Sequence, residues 1–274
     1  MIITMHGLST MHCNVATEIR LASETGYDAV ELVESKLLRY LDVGFKATDL
    51  LPLLTKYSMR VVMINALKSI ERVEPKKRKQ LMKEAERLCA AAQALGCPTV
   101  QLVPFCGLAG RPYPEVLKLT ARNVADLADL GKRYGVRFQL EPIAWSPIHS
   151  LKQSLELLDA AGRDNVGMVI DFWHLWAGGE TKPDEVAALP AATIYGVHFC
   201  DGVKHEGPGE WDEPALRGYL PGEGNIPIPE WVAAVKATGF DGVWSSELLS
   251  PKHWEWDLAE VARETKARME KYIR

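Results

Sequence analysis

Cysteine is scarce in this 274-residue chain: Cys13, Cys89, Cys97, Cys106 and Cys200 are scattered, odd in number and free of any C-x-x-C pair. A disulfide framework and a zinc knuckle are thereby excluded. No apolar stretch is long enough to cross a bilayer, and Met1 to His6 lacks the basic segment and apolar run of a secretory leader. These absences point to a cytoplasmic protein with no membrane partner. Neither sign of charge dominates, since 32 Lys and Arg against 36 Asp and Glu leave a net charge of −4. Such a surface has no general attraction for a phosphate backbone, so nucleic acid is not the expected partner. Also missing are a P-loop and a G-x-S-x-G elbow. The turn after the first apolar run, Gly7-Leu8-Ser9-Thr10, carries one glycine and no G-x-G-x-x-G, which argues against a dinucleotide site in a doubly wound sheet. No Pro/Ser/Gly-rich linker divides the chain, so residues 1–274 read as a single domain.

The composition that remains, 47% hydrophobic and 25% charged, belongs to a folded globular chain rather than a disordered one. Apolar runs of strand length recur at Ile2 to Met5, Ala29 to Val33, Val61 to Ile64, Thr99 to Val103, Val136 to Leu140, Val166 to Ile170, Thr193 to Val197 and Gly242 to Trp244. Several are continuous rather than alternating, the pattern of parallel strands covered on both faces. Helical patterns separate them, among them Lys76 to Leu95, Glu115 to Tyr134, Ser150 to Ala161 and Glu230 to Thr238, each with glycine just beyond its last turn. Leu258 to Tyr272 reads as a closing helix. Eight strands in 274 residues leave about 34 residues per strand–helix unit, which suits an α/β fold of the (β/α)₈ TIM barrel class. Asp201 to Pro229 is the one long segment expected to be irregular, and a loop of that length in a compact domain is usually functional.

The chemistry concentrates at strand ends. Strand five ends in Glu141, strand six in Asp171, strand seven meets His198, and strand eight ends in Glu247, at separations of 30, 27 and 49 residues. The first two separations equal about one βα unit and the third adds the long loop. A barrel would bring these four side chains to its C-terminal mouth, where barrel enzymes carry their sites. Three carboxylates and one imidazole gathered there repel one another unless a cation sits among them. The donor set suits a divalent ion, Mn²⁺ first, with Mg²⁺, Co²⁺ and Zn²⁺ as the other candidates. His174 stands three residues after Asp171, and Arg217 lies in the long loop; both are candidates to bind substrate, as packing or solvated residues are the alternative. All eight tryptophans lie in the second half, and Trp145 and Trp173 closely follow proposed ligands, where aromatic faces suit the C–H face of a sugar or polyol. Trp231 and Trp244 read as core. The remaining histidines carry no ligand reading, although His6 ends the first strand.

At these residues the sequence resembles the xylose isomerase-like TIM barrel superfamily, the sugar phosphate isomerase/epimerase group, and within it the inosose isomerases. The resemblance rests on Glu24-Thr25-Gly26-Tyr27-Asp28 with Glu31-Leu32, Ile64-Asn65-Ala66-Leu67, Leu140-Glu141, Asn165 to His174, Pro221-Gly222-Glu223-Gly224 and Ser246-Glu247-Leu248. It implies that Glu141, Asp171, His198 and Glu247 are metal ligands and that His174 and Arg217 bind substrate. It also implies a metal-dependent isomerase or epimerase acting on a keto-sugar or keto-polyol through an enediolate, with Glu141 and Glu247 exchanging the proton. A lyase or dehydratase using the same enediolate is the rival reaction. The superfamily also contains the DNA-repair enzyme endonuclease IV, but the additional histidines of its three-zinc site are missing after strands two to four, and the charge balance speaks against DNA. A non-catalytic sugar-binding protein is the remaining alternative. The expected partner is therefore a small-molecule substrate; assembly into a homo-oligomer is not written in these residues.

Overall fold

A computed structural model describes all 274 residues, Met1–Arg274. Eight parallel strands close into a barrel in chain order: β1 (Ile2–His6), β2 (Ala29–Val33), β3 (Val61–Lys68), β4 (Thr99–Val103), β5 (Arg137–Leu140), β6 (Val166–Asp171), β7 (Ile194–Phe199) and β8 (Val243–Ser246). The seam between first and last strand pairs Ile2 with Val243 through Met5 with Ser246. Every residue of β2, β4, β6 and β8 is buried, which is why these strands read as mostly apolar runs without strict alternation, with Glu31 and Gln101 among the buried polar exceptions. The expected single-domain TIM barrel is the fold that forms.

Alternation along each strand divides its residues between the helical coat and the barrel interior. Ala29, Val62, Met63 and Val243 form a small cluster separate from the main core beneath the helices. Two residues beyond Ala29 and Met63 stand Glu31 and Asn65, and four beyond Val243 stands Glu247. The same parity carries Gln101 on β4, Gln139 on β5 and His198 on β7, and their mutual hydrogen bonds show that these side chains meet inside the barrel. The interior thus changes from an apolar floor to a polar mouth within one or two pleats.

The expected helices form with small shifts at their ends: Pro75–Leu95, Tyr113–Arg133, Leu151–Ala161, Ile228–Ala237 and Leu258–Ile273. Ser150 caps its helix through a capping box with Gln153, and Gly162 ends it in the left-handed region, where a Cβ is unfavourable. Three differences bear on the site. β3 runs to Lys68, well past Ile64, so Asn65 sits within the barrel wall. β7 includes His198 rather than stopping before it. The segment after β7 is not wholly irregular: Glu213–Arg217 is a short helix, started by the Asp212 carboxylate accepting from the Ala215 N–H and by Pro214 in its first turn.

Helix Tyr113–Arg133 lies close against β5 at Gly131, where a Cβ would come within 2.7 Å of the Val136 carbonyl oxygen and 2.6 Å of the Phe138 ring. Neither can yield easily, because one is backbone and the other is fully buried. Gly131→Ala should therefore lower unfolding free energy by about 1–3 kcal/mol, as overpacking does. Urea denaturation measures it, and an unchanged midpoint would refute this account of the helix–strand contact.

Candidate metal centre and active site

Four consecutive strands deliver the proposed ligands. Glu141 is the residue after β5, Asp171 ends β6, His198 is the fifth residue of β7, and Glu247 follows β8. Their registers explain the convergence, for Asp171 pairs with His198 and His198 with Ser245 across neighbouring strands. One donor atom from each of the four lies within 4.8 Å of the others, and all four side chains are buried. His198 Nδ1 faces all three carboxylates, 2.8 Å from Glu141 Oε1, 3.3 Å from Glu247 Oε2 and 3.7 Å from Asp171 Oδ2. Three oxygens and one nitrogen at this spacing form a donor set that fits a divalent ion.

Burial alone would make these carboxylates neutral, so their partners decide their state. Burial raises Glu141 above the ordinary carboxylate range, against the lowering effect of His198. For Asp171 and Glu247 the cost of burial is outweighed, chiefly by the Arg217 guanidinium; Asp171 is lowered and Glu247 is held well below the usual range. His198 is likewise held well above the usual imidazole range, because Glu31 and Glu247 overcome its desolvation. The carboxylates differ in environment although they share one site.

Arg217 is brought in by the segment after β7 and is itself buried. Its Nη2 donates to Asp171 Oδ2 at 2.9 Å and Glu247 Oε2 at 2.5 Å, and its Nη1 donates to Glu213 Oε1 at 3.0 Å. His174 lies beside it, with Nε2 3.0 Å from Nη1. His174 stands in a short helix, Phe172–Ala177, that Asp171 starts by accepting the His174 backbone N–H at 2.6 Å. Asp171 is thus both strand end and helix cap. Trp173 is fully buried, with the Arg217 guanidinium 5.3 Å from its ring centre and its indole N–H bonded to the Val203 carbonyl. Trp145 is only half-buried and lies against His174 and Trp211. Trp145, Trp211 and Glu213 line a groove of about 700 Å³ at the mouth.

Several participants had gone unread. Gln101 donates to Glu141 Oε2 at 2.8 Å and accepts from Gln139 at 2.7 Å, so a chain of amides steadies that glutamate from below. His6, Glu31 and Asn65 gather beneath His198, with Glu31 Oε1 3.0 Å from His198 Nε2. Their signal was present as polar residues at inward positions of otherwise apolar strands. Asp201, the first residue of the long segment after β7, accepts four backbone N–H groups, from Gly202, Gly222, Gly224 and Ile226. It closes residues 201–226 into a fixed loop and so places Arg217 without touching it. Asp201→Ala should leave these donors unpaired, each costing about 1–3 kcal/mol if it stays buried. Hydrogen exchange across residues 202–226 should accelerate at least tenfold while the strands stay protected; unchanged loop protection would count against this role.

Comparison with known proteins agrees with the geometry. The family model described as "Xylose isomerase-like TIM barrel" matches residues 19–272. An inosose isomerase of Bacillus velezensis is 25% identical over 263 residues, covering 95% of this chain and 92% of that one. A 3-dehydroshikimate dehydratase of Pseudomonas putida is 23% identical over 239 residues, covering 85% of this chain and 36% of that longer one. A crystal structure of the IOLI protein with a binding zinc atom superposes with a TM-score of 0.91 at 23% identity, covering 100% of this chain and 98% of that one. With the family match spanning nearly the whole barrel, the chain is an enzyme of the xylose isomerase-like TIM barrel family.

Proposed function

We propose that the chain is a divalent-metal-dependent isomerase or epimerase of a keto-sugar or keto-polyol of the inosose type, working by proton transfer through an enediolate. The observation that carries this reading is the pair Glu141 and Glu247, which reach the same imidazole nitrogen from different strands, 2.8 and 3.3 Å away. Glu141, Asp171, His198 and Glu247 would hold the ion, for which Mn²⁺ is the first candidate. When bound, such an ion supplies Lewis-acid polarisation of a carbonyl and countercharge for a developing enediolate. The two glutamates divide the proton transfer: one takes the proton from the carbon beside the carbonyl and the other returns a proton to the adjacent carbon. Positioned acid–base groups of this kind contribute about 10² to 10⁴-fold. Arg217 and His174 face the same space and would bind substrate oxygens. Trp145 offers a half-exposed ring at the mouth, whereas Trp173 contributes by backing Arg217.

An unphosphorylated substrate fits the loop after β7. The backbone N–H groups of Gly222 and Gly224, which could otherwise have received a phosphate, already donate to Asp201 at 2.8 and 2.9 Å. Elimination from the same enediolate is the second reading, favoured by the likeness to the dehydratase. Product mass separates the two, since isomerisation leaves it unchanged. Glu247→Gln should abolish solvent-deuterium exchange at the substrate's α-carbon in an inosose and keto-sugar panel while the circular dichroism spectrum stays that of the parent. Exchange at the parental rate would sink the two-glutamate scheme.

A further inference from the structure

At the barrel mouth one buried acid remains without a part in this chemistry. Glu31 stands at an inward position of β2, paired in register with His6 of β1, and is fully inaccessible to solvent. A carboxylate in such a place costs several kcal/mol unless it is paired and hydrogen-bonded. Its Oε1 lies 3.0 Å from His198 Nε2 and accepts from Asn65 Nδ2 at 3.3 Å, and His6 Nε2 stands 3.3 Å away. His6 accepts the Leu8 backbone N–H on Nδ1 at 3.1 Å, which places its ring proton on Nε2, the atom beside Glu31 and the Asn65 amide. The His6 and His198 rings stand at 90° to one another with centres 5.0 Å apart, so neither can turn without meeting the other.

We propose that Glu31, supported by His6 and Asn65, is the positioning residue that holds His198 by its Nε2–H, so that Nδ1, the nitrogen facing Glu141, Asp171 and Glu247, is the one left to coordinate a divalent ion when one binds. An imidazole has two nitrogens, and only the unprotonated one can coordinate an ion; which one that is follows from what the other bonds. With Nε2–H kept by Glu31, the proton that an incoming ion displaces is the one on Nδ1, the atom that faces three carboxylates. Glu31 lies on the far side of the ring from those carboxylates, so its influence passes through His198. The same contact draws electron density toward Nδ1 and makes it the better donor. His6 adds a second link, since its Nε2 also lies 3.6 Å from Glu247 Oε1.

This inference rests on the metal-site reading above, and the test separates the two. Divalent-ion affinity of the purified full chain is measured with Mn²⁺ and Zn²⁺ by competition with a chromophoric chelator. Wild type is compared with Glu31→Gln, which keeps an acceptor without the charge, and Glu31→Met, which removes both. Loss of such an outer partner typically costs about 10–100-fold in metal affinity. Affinity should therefore fall about tenfold in Glu31→Gln and further in Glu31→Met, with melting temperature recorded to establish that each variant is folded. Nitrogen-15 imidazole spectra of the zinc-loaded wild type should show His198 protonated on Nε2 and coordinating through Nδ1, a readout that needs no variant to fold. Coordination through Nε2, or affinity within twofold of wild type in a folded Glu31 variant, overturns the positioning role. A wild-type chain that binds neither ion overturns the metal reading itself, and this inference with it.

Discussion

The rest of this structure depends on compensating buried negative charge at the barrel mouth. Glu141, Asp171 and Glu247 lie within a few ångströms of one another, with Glu31 across the His198 ring from them, all almost wholly out of water. Charges placed so cannot persist without partners. His198 and Arg217 supply them from the protein: the imidazole sits between Glu31 and the other three acids, and the guanidinium spans Asp171 and Glu247. A site whose stability requires positive charge among converging acids is also one that suits a cation and, with it, a substrate whose transition state develops negative charge.

The fold supplies the convergence at little cost in strain. Parallel strands of a closed barrel end on one rim, so a residue at the C-terminal end of each meets its neighbours there. Below the rim, alternation sends Gln101, Gln139, Glu31 and Asn65 into the interior, where they bond to Glu141 and His198 or to one another. These polar groups support Glu141 and His198 from within the barrel. The remaining rim is completed from outside the barrel by the segment after β7, folded on Asp201 and backed by Trp173. Rigid strands thus hold the acids, and a loop brings the cation that pairs with them.

Much of this was legible in the chain. Strand-length runs rich in apolar residues and ended by Glu141, Asp171 and Glu247 mark barrel strands that end in carboxylates, and spacing by one βα unit, lengthened once by the long loop, places such ends on one rim. The inner participants were harder to read. Glu31, Gln101 and His6 are single polar residues within or beside apolar runs, and local sequence does not tell an inward position from an outward one until the strand registers are known. Trp173 shows the opposite error of inference: adjacency to Asp171 suggested a face open at the mouth, yet the turn into helix Phe172–Ala177 buries it against Arg217.

Composition, the repeat of strand and helix, and acids at strand ends determined by themselves the barrel class and the four residues gathered at its mouth, because periodicity and strand polarity are local properties. Only the tertiary structure decided which nitrogen of His198 faces the carboxylates, that Glu31 holds the other, and that Arg217 reaches Asp171 from 46 residues away. Those are matters of register, barrel closure and loop path. They arise when distant segments are brought together, and no spacing along the chain encodes them singly.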